Sequence, residues 1–371
     1  MRFFLLLFVF LTVAACSKEP FYQEEAYVFG TRVEVSISGV EEPHARAAVV
    51  EVLHEFQRLH DLLHAWKPSE ISQLNAAFAQ GKSATVSAET AAMLQDATRL
   101  SVQSEGLFNP AIGGLIQLWG FQADEFKAML PDEKSIAALV KANPQMTDLD
   151  FLPSPPGGEG AGERGFVRSE TLSPSPSPAD GRGGLVSSSN RAVKIDLGGY
   201  AKGYALDRAA AILQQQGIKN ALINIGGNVL ALGAHGTRPW RVGIQHPRKP
   251  GAVATMELRD GEAIGTSGDY QRYFEIGDKR YCHVIDPRSG YPVQGVQAVT
   301  IVTKGEHAGL LSDAASKPLF ISGAQGWRVA AQQMKLSEAM LIDSEGVVHL
   351  TADLQKRLEF TDKSTVRKIE P

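Results

Sequence analysis

The stretch with the most chemical content is Lys194-Ile195-Asp196-Leu197-Gly198-Gly199-Tyr200-Ala201-Lys202-Gly203-Tyr204-Ala205-Leu206-Asp207. A strand delivers a carboxylate, Asp196. Two glycines follow, and without a Cβ they let the backbone come close to a ligand. A helix then begins, and the unpaired, partially positive amides of a helix start suit phosphate. Lys202 falls in that first turn, where a cation is unfavourable unless an anion lies beside it. A bound diphosphate resolves the conflict; a tight strand–helix turn with a surface lysine is the other explanation. The spacing is not the G-x-G-x-x-G of a dinucleotide turn. Elsewhere, His60 and His64 are four residues apart on a predicted helix, a spacing suited to metal. They lack the glutamate of an H-E-x-x-H pattern, which favours exposed or core histidines.

The elements that must position these groups follow from periodicity. Alternation over Tyr27 to Ser38 predicts an opening strand. Apolar residues three and four apart from Glu42-Pro43 onward predict a long helix, with further helices over 88–105 and about 132–142. Beyond residue 190 we expect strands at Ala192–Leu197, Asn220–Ile225, Trp240–Ile244, Val253–Leu258, Ala263–Thr266, Tyr273–Ile276 and Val296–Val302. Helices are expected at Ala201–Gln216, Ala308–Phe320 and Trp327–Lys335. The mixed order predicts an α+β class, one large mixed-sheet domain of two closely packed lobes.

Of the 371 residues, 43 % are hydrophobic and 21 % charged, which excludes disorder throughout. A net charge of −4 offers no basic field for nucleic acid. Two cysteines, Cys16 and Cys282, cannot build a disulfide scaffold or a Cys-rich metal site. Arg2, the apolar run Phe3–Val13 and Ala14-Ala15-Cys16 have the parts of an export signal covering 1–15. Val13-Ala14-Ala15-Cys16 also resembles a bacterial lipobox, which makes Cys16 a lipidated first residue and 16–26 a tether. The expected location is the cell envelope, lipid-anchored on the periplasmic side of the membrane. Cys282 would then be unpaired, and its strand-like surroundings predict burial. Residues 153–190 hold 8 Gly, 6 Pro and 8 Ser in 38 positions, so a disordered insertion is expected there.

Two more segments complete the pattern: Ser104 to Phe121, containing Gly106-Leu107-Phe108-Asn109-Pro110 and Leu118-Trp119-Gly120-Phe121, and Tyr281-Cys282-His283-Val284-Ile285-Asp286-Pro287-Arg288-Ser289-Gly290. With Phe29-Gly30-Thr31, the Asp196 turn, Asn224-Ile225-Gly226-Gly227-Asn228, Gly265-Thr266-Ser267-Gly268-Asp269-Tyr270 and Asp313-Ala314, seven motifs occur in order. In this the chain resembles the ApbE family of FAD:protein FMN transferases, whose patterns include DLGGxAKGYAxD, ATSGDYxRxF and HxIDPxTG. The resemblance runs over about 27–345, skipping the insertion and leaving 346–371 as a tail. It implies an ApbE-like (T-fold-like) domain that moves FMN from FAD to a Ser or Thr hydroxyl through a phosphoester bond, releasing AMP. The acceptor would be an exported flavoprotein of a respiratory electron-transfer complex, of Rnf or Nqr type.

The same resemblance places Phe29, Trp66, Leu107, Phe108, Asn109, Asp196, Lys202, Ser267, His283 and Ile285 against FAD. Mg²⁺ would be held by the Gly199 carbonyl, Asp313 and the residue at position 317. His283 is a candidate general base for the acceptor hydroxyl, or else it orients Asp286 or a flavin edge. Asp313 and His283 are the expected catalytic pair. The departure is Lys317, which stands where the family has Thr and cannot ligate a metal while charged. Ser316 or a carbonyl could complete the metal site, or the Lys317 ammonium could take the metal's place. A metal-dependent FAD pyrophosphatase and a non-catalytic FAD-binding lipoprotein are the competing functions.

Overall fold

The computed structural model describes residues 19–122, 128–153 and 183–370. The expected signal 1–15, the lipobox Cys16 and residues 154–182 of the expected insertion lie outside the described residues. Nine strands form one mixed sheet in the order Phe21–Val28, Thr31–Ser38, Ala221–Ile225, Asn228–Leu232, Glu262–Gly268, Val296–Lys304, Glu338–Asp343, Val348–Thr351 and Arg367–Glu370. Neighbours run antiparallel except the last pair, which is parallel.

The sheet is covered on both faces. Along Asn228–Leu232, Leu230 and Leu232 join a core with Val52, Phe56, Leu206 and Leu213 of the helices Glu42–Leu62 and Ala201–Gln215. Val229 and Ala231 point the other way, onto Trp240, Val242 and Met256 of a three-stranded sheet. The central strand Val296–Lys304 is buried at every position but the last, so it shows no alternation. Trp240–Gln245 alternates strictly between buried and exposed, as a strand with water on one face does.

A second lobe holds a three-stranded sheet with Gly184–Ser188 between Ala84–Val86 and Leu149–Pro153, backed by the helices Glu70–Ala79 and Ala88–Gln103. Local chemistry starts these helices. Ser69 and Ser72 form a capping box, and the Ser87 hydroxyl accepts the Thr90 amide. Glu70 takes the Ser87 amide at 3.0 Å and so ties one helix to the next.

Five expectations are corrected. Disorder does not cover all of 153–190: Pro153 pairs with Gly184, and Val186 is fully buried in the middle strand. Serine-rich composition hides a strand whose one apolar anchor is Val186 and whose partners lie far off in sequence. Residues 21–26 are not tether but half of a hairpin, paired along their length with Thr31–Ser38. Residues 346–371 are no tail, since Val348, Leu350 and Leu354 are buried and Arg367–Glu370 closes a sheet edge. Ala192–Leu197 is not a strand; it makes one parallel bridge, Lys194 to Ile112. The helix expected over Ala308–Phe320 divides at Ala315 into Ala308–Ala314 and Ser316–Gln333, and the latter breaks again at Gly323, φ 67°. Pro318 has no amide proton for the Ala314 carbonyl, which favours the division. The α+β class and the large mixed sheet are as expected.

Candidate active site

The Asp196 turn is held by a neighbouring loop. Lys194 N donates to Ala111 O at 3.0 Å, Asp196 N to Pro110 O at 2.8 Å, and Gly113 N to Lys194 O at 2.8 Å. A Cβ on Gly113 would lie 2.6 Å from that Lys194 oxygen, so the glycine permits the approach. Asn75 clamps the intervening peptide, donating to Ile195 O at 2.9 Å and accepting from Ile195 N at 2.6 Å. Asp196 is thereby fixed at the surface of a cavity, with Oδ1 accepting the Gly198 amide at 2.8 Å. Burial pushes its carboxyl up, against the Gly198 amide and the cations Arg272, Lys194 and Lys202.

Asp313 comes from a different direction. Its helix, Ala308–Ala314, packs so closely that side chains are excluded at the crossings. A Cβ on Gly203 would meet Gly309 O at 2.5 Å, and one on Gly265 would meet Ser312 O at 2.0 Å. Asp207, one helix over, accepts the Gly309 and Leu310 amides, both at 2.8 Å, and so caps this helix from outside. The result puts Asp313 beside the first turn of Ala201–Gln215, where Oδ2 accepts the Gly203 amide at 3.2 Å and lies 3.7 Å from Lys202 Nζ. Lys317 Nζ donates to Asp313 Oδ1 and, at 2.7 Å, to Asp313 O. Burial alone would raise the Asp313 carboxyl; Lys202 and Lys317 outweigh it and hold the group ionised, well below the usual carboxylate range. Burial lowers Lys317, and the Asp313 charge opposes that.

This arrangement does not fit Mg²⁺. The ammonium is already bonded to Asp313, and position 317 brings a cation where an oxygen ligand is needed. Among the described residues no group of three His, Cys, Asp or Glu side chains could hold a metal ion. His60 and His64 touch edge to face at 5.2 Å in a row of rings between Phe29 and Trp66.

His283 is placed by aromatic packing. Trp119 stacks on Tyr281 at 5.6 Å and its Nε1 donates to Gly290 O at 2.8 Å, while Phe121 lies edge-on to His283 at 6.5 Å. The half-buried imidazole sits 3.2 Å through Nδ1 from Arg272 O. Donation from Nδ1–H leaves Nε2 as an acceptor. Burial, then Arg272, Lys202 and Lys317, pull its pKa down to about 3, so the ring is neutral at neutral pH. Phe29 shows backbone strain: it sits at φ 57° in the two-residue turn Phe29-Gly30, a conformation bulky side chains avoid. Strain that the surroundings maintain is common where a side chain must be aimed.

All thirteen residues expected at the site line one cavity of about 580 Å³: Phe29, Trp66, Leu107, Phe108, Asn109, Asp196, Gly199, Lys202, Ser267, His283, Ile285, Asp313 and Lys317. They differ in what they offer it. The Asn109 amide is engaged by the backbone, donating to Pro144 O at 2.9 Å and accepting the Ala111 amide at 3.1 Å, so it shapes a loop. Trp66 is 41 % exposed at the rim. Sequence reasoning left out Arg272, Gln271 and Gln245, which line the same wall. Arg272 had a signal, since it matches the arginine of the ATSGDYxRxF pattern; Gln245, on a strand of the small sheet, had none. Cys282 is buried as expected, with its thiol pushed up to about 12 by burial.

The family model described as "ApbE family" matches residues 29–341. A FAD:protein FMN transferase of Rhodobacter capsulatus is 40 % identical over 343 residues, 92 % of this chain; the match spans 59 % of that relative's length. The crystal structure of the ApbE protein from Thermotoga maritima superposes with a TM-score of 0.76 at 26 % identity, covering 91 % of this chain and 99 % of that one. The apo flavinyl transferase ApbE of Pseudomonas stutzeri shares the fold, with a TM-score of 0.71 at 23 % identity over 91 % of this chain and 97 % of its own.

Proposed function

The chain belongs to the ApbE family, and from that premise we propose that it is an FAD:protein FMN transferase acting on a Ser or Thr hydroxyl of an exported flavoprotein. The observation that carries the proposal is the single cavity that gathers Lys202, Arg272, His283 and the Asp313–Lys317 pair around one helix start. In the reaction the hydroxyl oxygen forms a bond to the FMN phosphorus, and the bond from that phosphorus to the bridging oxygen breaks. AMP leaves with the bridging oxygen and the hydroxyl proton is released. The charge to be stabilised lies on the diphosphate, so positioning and local cations supply most of the catalysis.

His283 Nε2 is the acceptor for the hydroxyl proton. A base with a pKa near 3 is weak. The transition state of phosphoryl transfer is loose, however, and needs little proton removal before the phosphorus is attacked. Bound diphosphate also opposes the cations that depress the imidazole, and so strengthens it when substrate is present. The Phe29, His60, His64 and Trp66 rings offer flat surfaces along one wall for the flavin. The acceptor is proposed to be an exported subunit of a respiratory complex, of Rnf or Nqr type. The transferase is proposed to reach it from the periplasmic side, anchored through Cys16.

The test is to incubate the protein with FAD and a candidate acceptor, then measure acceptor mass and nucleotide products. An acceptor heavier by one FMN, with AMP in equal amount, is expected. Free FMN with unlabelled acceptor would mean a pyrophosphatase, and FAD bound without AMP release would mean a binding protein.

A further inference from the structure

We propose that the Lys317 ammonium takes the place of a divalent cation in this cavity, so that FAD binding and FMN transfer proceed without metal. The inference rests on the transferase reading of the site. It comes from the donors already set on Asp313 and from the burial of Ser316. Asp313 Oδ1 accepts from Lys317, Oδ2 from the Gly203 amide with Lys202 at 3.7 Å, and the carbonyl from both Lys317 Nζ at 2.7 Å and Ser316 Oγ at 2.8 Å. Every oxygen of Asp313 therefore has a donor. Ser316 cannot stand in: it is 1 % exposed, and its hydroxyl lies 2.7 Å from that of Ser267. The lysine stem passes close to Gly199, where a Cβ would lie 3.2 Å from Lys317 Cε. The lysine stem thus runs beside Gly199 and sets its ammonium on Asp313, the two other residues that the family resemblance assigns to a metal.

The substitution is chemically coherent. An ammonium has three N–H donors. Asp313 takes two, through Oδ1 and O, which leaves one for a phosphate oxygen in the cavity that Lys317 lines. With Lys202 in the first turn of the neighbouring helix, the diphosphate meets two fixed ammonium groups and a helix start. Asp313 then serves to hold and orient Lys317 rather than to coordinate an ion.

Two measurements decide the matter. Mn²⁺ binding is read by electron paramagnetic resonance in the presence of FAD, for the native chain and for Lys317→Thr. The native protein should leave Mn²⁺ free at concentrations where the variant binds it stoichiometrically. FAD affinity, from flavin fluorescence with and without EDTA, should change less than twofold for the native chain. It should fall at least tenfold for Lys317→Thr in EDTA and recover with Mg²⁺. Mn²⁺ bound by the native protein with FAD, or native FAD affinity lost to EDTA, would overturn the inference. Neither measurement needs turnover on the native chain, so both still decide the inference if no acceptor is ever labelled and the transferase reading itself fails. A misfolded variant would not matter either, because the native Mn²⁺ and EDTA results suffice.

Discussion

His283 shows how much of this chemistry is set at single positions. The residue type gives a group that ordinarily titrates near 6.5; its surroundings move it to about 3. The direction follows from charge: Arg272, Lys202 and Lys317 all disfavour a second cation, and burial adds to them. A depressed imidazole is already neutral in the acid range, so kcat/KM should not fall through an acid limb near 6.5. We predict a flat profile from pH 5.5 to 8, because kcat/KM reports the free enzyme's groups. His283→Ala should bind FAD within threefold of the native protein and lose at least a hundredfold in acceptor labelling. A limb centred near 6.5, or unchanged labelling in the variant, would remove His283 from the proton's path. The tautomer that exposes Nε2 depends on the Arg272 carbonyl, a partner that no sequence pattern names.

Between elements, the decisive contact is the crossing of Ala308–Ala314 with Ala201–Gln215 and the strand Glu262–Gly268. Glycines permit it, and Asp207 fixes its angle. Gly265→Ala would place a methyl 2.0 Å from Ser312 O, which backbone cannot tolerate without moving. We expect a loss of about 2 kcal/mol or more, seen as a fall of several degrees in Tm, together with weaker FAD binding because Asp313 moves with its helix. A Tm within a degree of native would show that the crossing relaxes freely. The sequence already marked Gly198 and Gly199 as places for ligand approach, but Gly203 and Gly265 serve packing instead. Both uses exploit the missing Cβ, and only the fold separates them. Strands were legible where one face meets water, as in Trp240–Gln245. Asn228–Leu232 and Glu338–Asp343 were missed because buried strands carry no period of two and these lack the β-branched run Val299-Thr300-Ile301-Val302-Thr303 of the equally buried Val296–Lys304. Gly184–Ser188 was missed because its stability comes from partners more than thirty residues upstream.

Across the whole molecule, the site belongs to no single element: its walls come from residues 29 to 321, brought together where the large sheet meets the second lobe. Motif order was readable from sequence because each motif is local; that all of them face one space depends on long-range pairing. The proposed anchor also belongs to this scale. Cys16→Ser should move the protein from the membrane fraction to the soluble fraction and leave labelling of a soluble acceptor unchanged in vitro. Persistence in the membrane fraction would rule out the lipid. One feature of the first hairpin sets how such an anchor would work. The chain is tied down from the start of that hairpin: the Gly39 amide donates to Pro20 O at 2.8 Å. Four residue steps separate Cys16 from Pro20, a leash of about 14 Å at full stretch. A lipid on Cys16 would thus moor the catalytic body against the bilayer, and its reach would be a thin layer over the membrane surface. Acceptor hydroxyls carried high on a periplasmic domain would pass overhead, and those near the membrane face would be within range.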